Sequence, residues 1–335
     1  MARRRLTLRQ QERIEATQVK RRRQLDEPAL DTMELVQEEL CREGRVITRH
    51  GQNLAVADAD GNLYHCLLRQ SIGEPVCGDR VVLQRTTADQ GVVTALLERS
   101  SLLTRPTYGG SEKPLAANID LLVVVLALEP APSQYLLDQY LVAAENLGLG
   151  VVITLNKCDL IDHQSAAEFE RGFGHYEQIG YPLVRISAKM DHGLDPLIER
   201  LEQQTSILVG QSGVGKSSLV KALLPDIDIQ IGRLSSTSGM GRHTTSATTL
   251  YNMSQGGELI DSPGVRSFRL GRMNVRQLES GFHEFQPFIG HCRFSNCSHD
   301  HEPDCALIGA MTKGLIDPRR LENFRHMASN LVNDH

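Results

Sequence analysis

The chain has 335 residues, of which 40% are hydrophobic and 23% are charged. This composition is typical of a globular protein and excludes wholesale disorder, and the length allows two or three domains. The longest uninterrupted apolar run, residues 121–128, is far shorter than the roughly 20 residues that cross a bilayer. We therefore expect no membrane span, and the N-terminal residues show no apolar secretion signal.

The formal net charge of −5 conceals a basic arm, which we place at residues 1–35. Residues 1–23 contain nine Arg and Lys side chains against two Glu, so the rest of the chain is acidic. A basic segment on an acidic body favours an anionic partner such as nucleic acid. A solubilising disordered tail is the alternative. A mitochondrial transit peptide is disfavoured because such peptides contain few acidic residues.

Residues 36–103 are predicted to form a small β-barrel. Five short strand-like stretches are separated by turn residues, and Asp60-Gly61 is a strong hairpin signal. The OB-fold is the commonest barrel of this size, although an SH3-like barrel would give nearly the same pattern. The stretch 104–114, rich in Pro, Gly and Thr, is predicted to be a linker.

Residues 104–270 are predicted to form an α/β domain. Apolar stretches at 119–128, 151–155, 183–186, 206–209 and 258–260 alternate with helical segments such as 133–147. Near-continuous apolar strands alternating with helices are typical of a doubly wound parallel sheet. From residue 271 to 335 the chain is polar and helical, and Asp317-Pro318 is predicted to open a final helix.

Residues 210–217 match the phosphate-binding pattern G-x-x-x-x-G-K-[ST] between a predicted strand and a predicted helix. Glycines allow backbone N–H groups to face phosphates, and the helix N-terminus adds its positive dipole. Lys216 is predicted to reach the β and γ oxygens, and the Ser217 hydroxyl to coordinate Mg²⁺. The predicted nucleotide-binding residues of this loop are Gly210, Gln211, Ser212, Gly213, Val214, Gly215, Lys216, Ser217 and Ser218.

A second motif predicts that the base is guanine. Asn156, Lys157, Cys158 and Asp159 form N-K-x-D at the end of a predicted strand. The Asp159 carboxylate can accept hydrogen bonds from N1–H and the 2-amino group of guanine, whereas adenine would leave it unpaired. Ser187, Ala188 and Lys189 follow another strand, and the Ala188 amide is expected to bond guanine O6.

A third motif, D-x-x-G, begins at Asp261 and ends at Gly264. Asp261 is expected to hold Mg²⁺ through water and the Gly264 amide to contact the γ-phosphate. The polar, Gly-rich segment 239–246 is suited to a mobile switch loop, with Thr244 or Thr245 as the metal-binding threonine. An ordinary surface loop is the alternative interpretation.

The order of these motifs is unusual, because the base-reading motifs precede the phosphate-binding loop. This order indicates a circular permutation of a Ras-like GTPase. With a barrel before it and a Cys/His cluster after it, the chain resembles the circularly permuted, ribosome small-subunit-dependent GTPases of the RsgA type. The resemblance implies an OB-fold, a permuted GTPase domain and a zinc-binding C-terminal domain. It also implies GTP hydrolysis with Mg²⁺, stimulated by the small ribosomal subunit late in its maturation, and binding to its rRNA. We expect a cytoplasmic monomer.

The residue after D-x-x-G is Val265, where Ras-like enzymes place the glutamine that orients water. Because valine cannot hydrogen-bond to water, slow intrinsic hydrolysis is predicted. His243 is the best substitute in the chain, and it agrees with the G-x-H-T-T pattern of the family it resembles. A solvated loop histidine is the alternative.

Three of the seven cysteines cluster near the C-terminus. Without a secretion signal, such a cluster favours a metal site over disulfides. Three thiolates and one imidazole favour a closed structural Zn²⁺ site, with His291 and His301 as competing ligands. The predicted ligands are Cys292, Cys297, His299 and Cys305. The choice of His299 rests on the spacing of the family that the chain resembles.

Two other functional classes compete with a GTP hydrolase. The first is an RNA-binding scaffold that is controlled by nucleotide binding and does not hydrolyse GTP. Val265 favours this interpretation, and a measurement of phosphate release from GTP would distinguish the scaffold from an enzyme. A P-loop ATPase or kinase is disfavoured by the guanine-reading pattern that ends at Asp159.

Overall fold

A computed structural model describes residues 41–69, 72–106, 112–190, 192–238, 247–262 and 273–333. Several predictions lie outside these ranges. They concern the basic arm, His243, Thr244, Thr245, Gly264 and Val265.

The first unit is a closed five-stranded barrel. Its strands are β1 (Cys41–His50), β2 (Asn53–Asp58), β3 (Leu63–Leu68), β4 (Arg80–Arg85) and β5 (Gln90–Leu96). They pair in the order β1-β2-β3-β5-β4, and β4 returns to pair with β1. The pairing of β3 with β5 is parallel and the others are antiparallel. This closed, five-stranded barrel with one non-sequential pairing is OB-like.

A two-stranded hairpin follows, so the expectation of a linker at 104–114 is wrong. Strands β6 (Leu102–Pro106) and β7 (Glu112–Ala117) pair antiparallel, with Leu103 opposite Ala116. Both of these side chains are buried in the core shared with the next unit. Burial of these side chains therefore determines the structure at the described ends of this stretch, although the stretch is rich in turn-forming residues.

The second unit is an α/β domain built on six strands. These are β8 (Leu121–Leu126), β9 (Gly150–Leu155), β10 (Leu183–Arg185), β11 (Thr205–Val209), β12 (Thr249–Asn252) and β13 (Glu258–Asp261). Their order is β10-β9-β8-β11-β13-β12, and every pair is parallel except β12 with β13. All residues of β8 are buried, because apolar clusters cover both faces of the sheet. The predicted fold class is confirmed.

Helices cover both faces of this sheet. They are α1 (Gln134–Leu147), α2 (His163–Phe173), α3 (His175–Gln178), α4 (Asp195–Leu201), α5 (Lys216–Leu223) and α6 (Ile227–Ser238). The first helix begins where the Ser133 hydroxyl accepts the amide of Leu136, and it ends at Gly148, whose φ is 66°. The chain runs outward from β8 on one side and from β11 on the other, so the sheet has a topological switch point between them.

The barrel and the α/β sheet are joined edge to edge. Strand β1 pairs antiparallel with β12, and Thr48 lies opposite Thr249. The Thr48 hydroxyl also donates to the carbonyl of Thr248 at 3.0 Å. The two units therefore share one continuous hydrogen-bonded sheet.

The last unit is helical. It contains α7 (Val275–Ser280), a 3₁₀ turn at His283–Phe288, α8 (Ala306–Thr312) and α9 (Pro318–Asn333). Phe282, Phe285 and Phe324 form its aromatic centre, with T-shaped contacts to Phe324. Across the described ranges, the helices are too short or too polar to cross a membrane.

Candidate functional site

The phosphate-binding loop connects β11 to α5 at the topological switch point. Gly210, Gly213 and Gly215 have φ values of 136°, 88° and 97°, which favour glycine. A Cβ at Gly210 would lie 2.2 Å from the Val125 carbonyl oxygen, and one at Gly215 would lie 2.5 Å from Asn156 Nδ2. Glycine is therefore required at both positions by backbone conformation and by space.

Within this loop Lys216 lies at the first residue of α5. Its Nζ donates to the carbonyl oxygens of Gly210 at 2.7 Å and Gln211 at 2.5 Å. Ser212, Ser217 and Ser218 are exposed around it, whereas Val214 is buried. A cation, exposed hydroxyls and a helix N-terminus at one place form a cradle suited to phosphate groups.

The N-K-x-D residues contact this loop directly, although more than 50 residues separate the two motifs. Asn156 Nδ2 donates to the Val214 carbonyl at 2.9 Å, and Lys157 Nζ donates to the Gly213 carbonyl at 2.8 Å. Lys157 also donates to the carbonyl of Glu129 at 2.8 Å, and its own φ is 63°. The two motifs thus form one site.

Asp159 lies exposed beside Ser187. The Ser187 hydroxyl donates to Asp159 Oδ1 at 2.6 Å and accepts the Lys189 amide at 3.2 Å. The Cys158 amide donates to the Ile186 carbonyl, which holds the two segments together. The hydrogen bond from Ser187 lowers the pKa of Asp159 below its ordinary value, so the carboxylate is charged at neutral pH. Ala188, half-buried, and Lys189, exposed, follow at the same edge.

Asp261 is the exposed last residue of β13, next to the strand that leads into the phosphate-binding loop. Its neighbour Ser262 shares a hydrogen bond of 2.9 Å with the Thr248 hydroxyl. Thr248 lies just after 239–246, and Ser262 lies just before 263–272. The predicted switch loop and the D-x-x-G motif therefore meet at one place, at their described ends.

The Cys/His cluster is compact. The ligand atoms of Cys292, Cys297, His299 and Cys305 all lie within 4.8 Å of one another. Cys292 Sγ is 3.9 Å from Cys305 Sγ, and His299 Nδ1 is 3.5 Å and 3.3 Å from these two sulfurs. In a tetrahedral zinc site with Zn–S bonds of about 2.3 Å, ligand atoms are separated by about 3.5 to 3.8 Å. The spacing and the donor set fit zinc.

Two groups contact the cluster that the sequence does not predict. Glu279 of α7 lies 3.1 Å from His299 Nε2, and the Ala306 amide donates to Cys292 Sγ at 3.3 Å. Exposed His301 pairs with Asp300, and neither His301 nor His291 joins the group. No sequence signal marks Glu279, because it lies outside the Cys/His spacing pattern.

Comparison with known sequences places these sites in a family context. A sequence model of the family described as RsgA GTPase matches residues 96–271. The chain is 43% identical over 336 aligned positions to the small ribosomal subunit biogenesis GTPase RsgA of Pseudomonas aeruginosa strain UCBPP-PA14. The alignment covers 99% of this chain and 98% of that protein. The protein of the same name from Azotobacter vinelandii is also 43% identical, over 99% of this chain and 98% of its own.

Two solved structures resemble the fold. The crystal structure of YjeQ from Thermotoga maritima has a TM-score of 0.73 at 32% identity, and covers 88% of this chain and 99% of its own. The crystal structure of YloQ, described as a circularly permuted GTPase, has a TM-score of 0.71 at 26% identity, over 88% and 96% of the two chains. The permutation that motif order predicts is therefore found in a structural relative.

Proposed function

The chain belongs to the RsgA GTPase family, and from this premise we propose that it hydrolyses GTP to GDP and phosphate during biogenesis of the small ribosomal subunit. This function rests mainly on the contact between the base-reading motif and the phosphate-binding loop. Asn156 and Lys157 hydrogen-bond to the carbonyls of Val214 and Gly213, so one pocket would serve the base and the phosphates. A bound GTP or GDP would place its base at Asp159 and its phosphates at Lys216.

Mg²⁺ is the second part of this proposal. Ser217 is exposed at the N-terminus of α5, and Asp261 is exposed at the end of the neighbouring strand β13. Hydroxyl and carboxylate oxygens are ligands that Mg²⁺ prefers. Thr245 or Thr244 would complete this ion's ligand set from the segment 239–246. The bound ion would neutralise charge on the β and γ oxygens.

Zn²⁺ is the third part. The four ligand atoms of the Cys/His cluster would fill the tetrahedral shell of a zinc ion and would leave no open position for a catalytic water. The ion would therefore act structurally. Its role would be to hold the loop 292–305 against the aromatic centre of the helical unit, where His299 packs edge-on against Phe324.

Water activation is the part that involves His243. Val265 occupies the position of the water-orienting glutamine, so the chain needs another group for that role. We assign the role to His243, brought into place with the Gly264 amide and the switch threonines when the protein docks on the small subunit.

The basic arm supplies electrostatic attraction to rRNA. We further propose that the protein acts in the cytoplasm as a monomer.

Turnover in the presence of small subunits tests this function. Phosphate release from GTP by the full chain is measured with and without purified small subunits at several salt concentrations. We expect slow basal release, a large increase with subunits, and weaker stimulation at high salt because phosphate contacts are screened. Absence of any GTP-dependent phosphate release would instead favour a non-hydrolysing scaffold.

His243→Ala tests the assignment of the catalytic group in the same assay. The variant should lose subunit-stimulated turnover and keep nearly unchanged affinity for GTP, because His243 is assigned to the water and not to the nucleotide. Retained stimulation would contradict this assignment.

A further inference from the structure

A partly buried carboxylate faces the Cys/His cluster from a different element. Glu279 Oε1 lies 3.1 Å from His299 Nε2, and the side chains are 14% and 8% exposed. Glu279 belongs to α7, whereas all four proposed zinc ligands lie at 292–305. The contact is therefore made from outside the ligand loop.

The two nitrogens of the His299 ring have separate partners. Nδ1 faces the sulfurs of Cys292 and Cys305 at 3.5 Å and 3.3 Å, while Nε2 faces Glu279. A neutral imidazole that binds a metal through Nδ1 carries its proton on Nε2. That N–H is then directed at a carboxylate oxygen, which is a strong acceptor. The ring orientation and its tautomer are both defined by this pair of contacts.

The carboxylate is itself held in place. Helix α7 begins with a capping box between Asn274 and Gln277, and its residue Leu278 is fully buried. Asn146 of α1 donates to the Gln277 carbonyl at 3.0 Å, so the helix is tied to the α/β domain. The short helix that carries Glu279 is therefore held by its buried Leu278 and by its hydrogen bond to α1.

On the premise of the zinc site proposed above, we propose that Glu279 is a positioning residue of the metal centre, which orients His299 by accepting the Nε2–H hydrogen bond. Carboxylates in this position commonly fix a ligating histidine and strengthen its binding to the metal. Glu279 also lies on the first described helix after 263–272. It thus ties the metal centre to the chain that leaves the D-x-x-G segment.

Zinc retention by the full chain tests this role. Zinc-loaded protein is titrated with a chelator of known affinity, and the released zinc is measured for the unmodified chain and for three variants. Glu279→Ala removes the acceptor, and Glu279→Gln keeps an oxygen acceptor without the charge. Asp304→Asn is the matched control, because it also removes one carboxylate charge near the cluster, next to Cys305. The Asp304 carboxylate contacts Arg293 rather than His299. Circular dichroism checks that each variant is folded.

We expect Glu279→Ala to hold zinc about 10- to 100-fold more weakly, Glu279→Gln to lie between it and the unmodified chain, and Asp304→Asn to be unchanged. In cobalt-loaded protein, the d–d absorption bands should shift in Glu279→Ala and not in the control. Zinc affinity of Glu279→Ala within twofold of the unmodified chain would overturn the role of Glu279. So would an equal loss in Asp304→Asn. An unmodified chain that holds no zinc would overturn the metal site itself, and this result is visible before any variant is compared.

Discussion

At the scale of single residues, the environment of Asp159 explains how a base could be read at an exposed position. The carboxylate is accessible to a ligand, yet Ser187 fixes one of its oxygens through a 2.6 Å hydrogen bond. That bond lowers the pKa of Asp159, so the group offers a charged acceptor over the physiological pH range. The charge and the orientation that guanine would need are thus present before nucleotide binds.

Asp159→Asn should reverse base preference. The amide lacks the negative charge that would accept hydrogen bonds from guanine N1–H and the 2-amino group, and it has an N–H donor that would suit the O2 carbonyl of xanthine. Loss of two charge-assisted hydrogen bonds predicts GTP binding weaker by about 100-fold or more. Xanthosine triphosphate should bind better than it does to the unmodified chain. Fluorescence titration with both nucleotides measures this.

Asp89→Asn in a barrel turn is the control for this prediction, because it removes a carboxylate charge that accepts from the Thr87 hydroxyl and belongs to a different unit from the base-reading motifs. Unchanged preference for GTP in Asp159→Asn would contradict the base-reading role.

At the scale of elements, the barrel borders both ends of the segment 239–246. Helix α6 leads into this segment, and a cavity of about 430 Å³ lies between α6 and the barrel. Ile47 and Leu63 line it from the barrel, and Ile229 and Leu234 line it from the helix. On the other side of the segment, Thr248 and Thr249 contact Thr48 of β1. Movement of the barrel would therefore act on both flanks of the predicted switch loop.

Polar side-chain contacts strengthen the same junction. Arg45 of β1 reaches Thr205 at the start of β11 and Glu258 at the start of β13, each at 2.9 Å. The ion pair with Glu258 is partly shielded from solvent. Pairing between strands and these side-chain bonds together join the barrel to the α/β sheet at its edge.

Thr48→Val should loosen this junction without changing side-chain volume much. The Thr248 carbonyl loses a donor that is partly shielded from water, which predicts destabilisation of about 1 kcal/mol. Hydrogen exchange across 247–252, followed by mass spectrometry, should become faster. Thr94→Val is the control, because its buried hydroxyl faces Val82 inside the barrel and should leave 247–252 unchanged. Equal protection in Thr48→Val and the unmodified chain would show that the backbone pairing alone holds β12.

At the scale of the whole molecule, a buried ion network fastens the helical unit to the α/β domain. Arg320 of α9 is 1% exposed and donates to Asp138 of α1 at 2.7 Å and to both oxygens of Glu284 at 2.7 and 2.8 Å. Tyr176 and Asn323 donate to the same Asp138 carboxylate at 2.5 and 2.6 Å. Every charged group of this network therefore has hydrogen-bond partners, as buried ions require.

Arg320→Met should destabilise the protein severely. The substitution leaves Asp138 and Glu284 buried without their countercharge, which typically costs about 3–5 kcal/mol of stability. Urea denaturation, followed by circular dichroism, should show a large fall in the midpoint.

Arg185→Met is the matched control, because its ion pair with Glu170 is also short, at 2.6 Å, but both side chains are about half exposed. That variant should change the stability by less than about 1 kcal/mol. Similar midpoints for the two variants would show that the Arg320 network does not carry the docking of the helical unit.

The predicted domain boundaries at 35, 103 and 270 stay predictions, since shared contacts blur them. The barrel pairs with β12, and the helical unit reaches Asp138 through Arg320. Such contacts join residues that lie 180 or more positions apart, and no local pattern reports them.

The amino-acid sequence alone predicts the α/β class, a small β-barrel and the permuted order of the nucleotide motifs, but it leaves OB-like and SH3-like barrels as alternatives. These features follow from local patterns: continuous apolar strands, turn residues, and glycines at positions where phosphate must approach the backbone. The prediction of a linker at β6 and β7 is wrong, because local composition shows the turn residues but does not show that Leu103 and Ala116 are buried. The contacts between groups far apart in the chain come from tertiary packing alone, as for Ser187 with Asp159, Glu279 with His299 and Thr48 with Thr248. Hydrogen bonds of this kind depend on atoms meeting within about 3 Å, and only the packing of the whole chain brings them there.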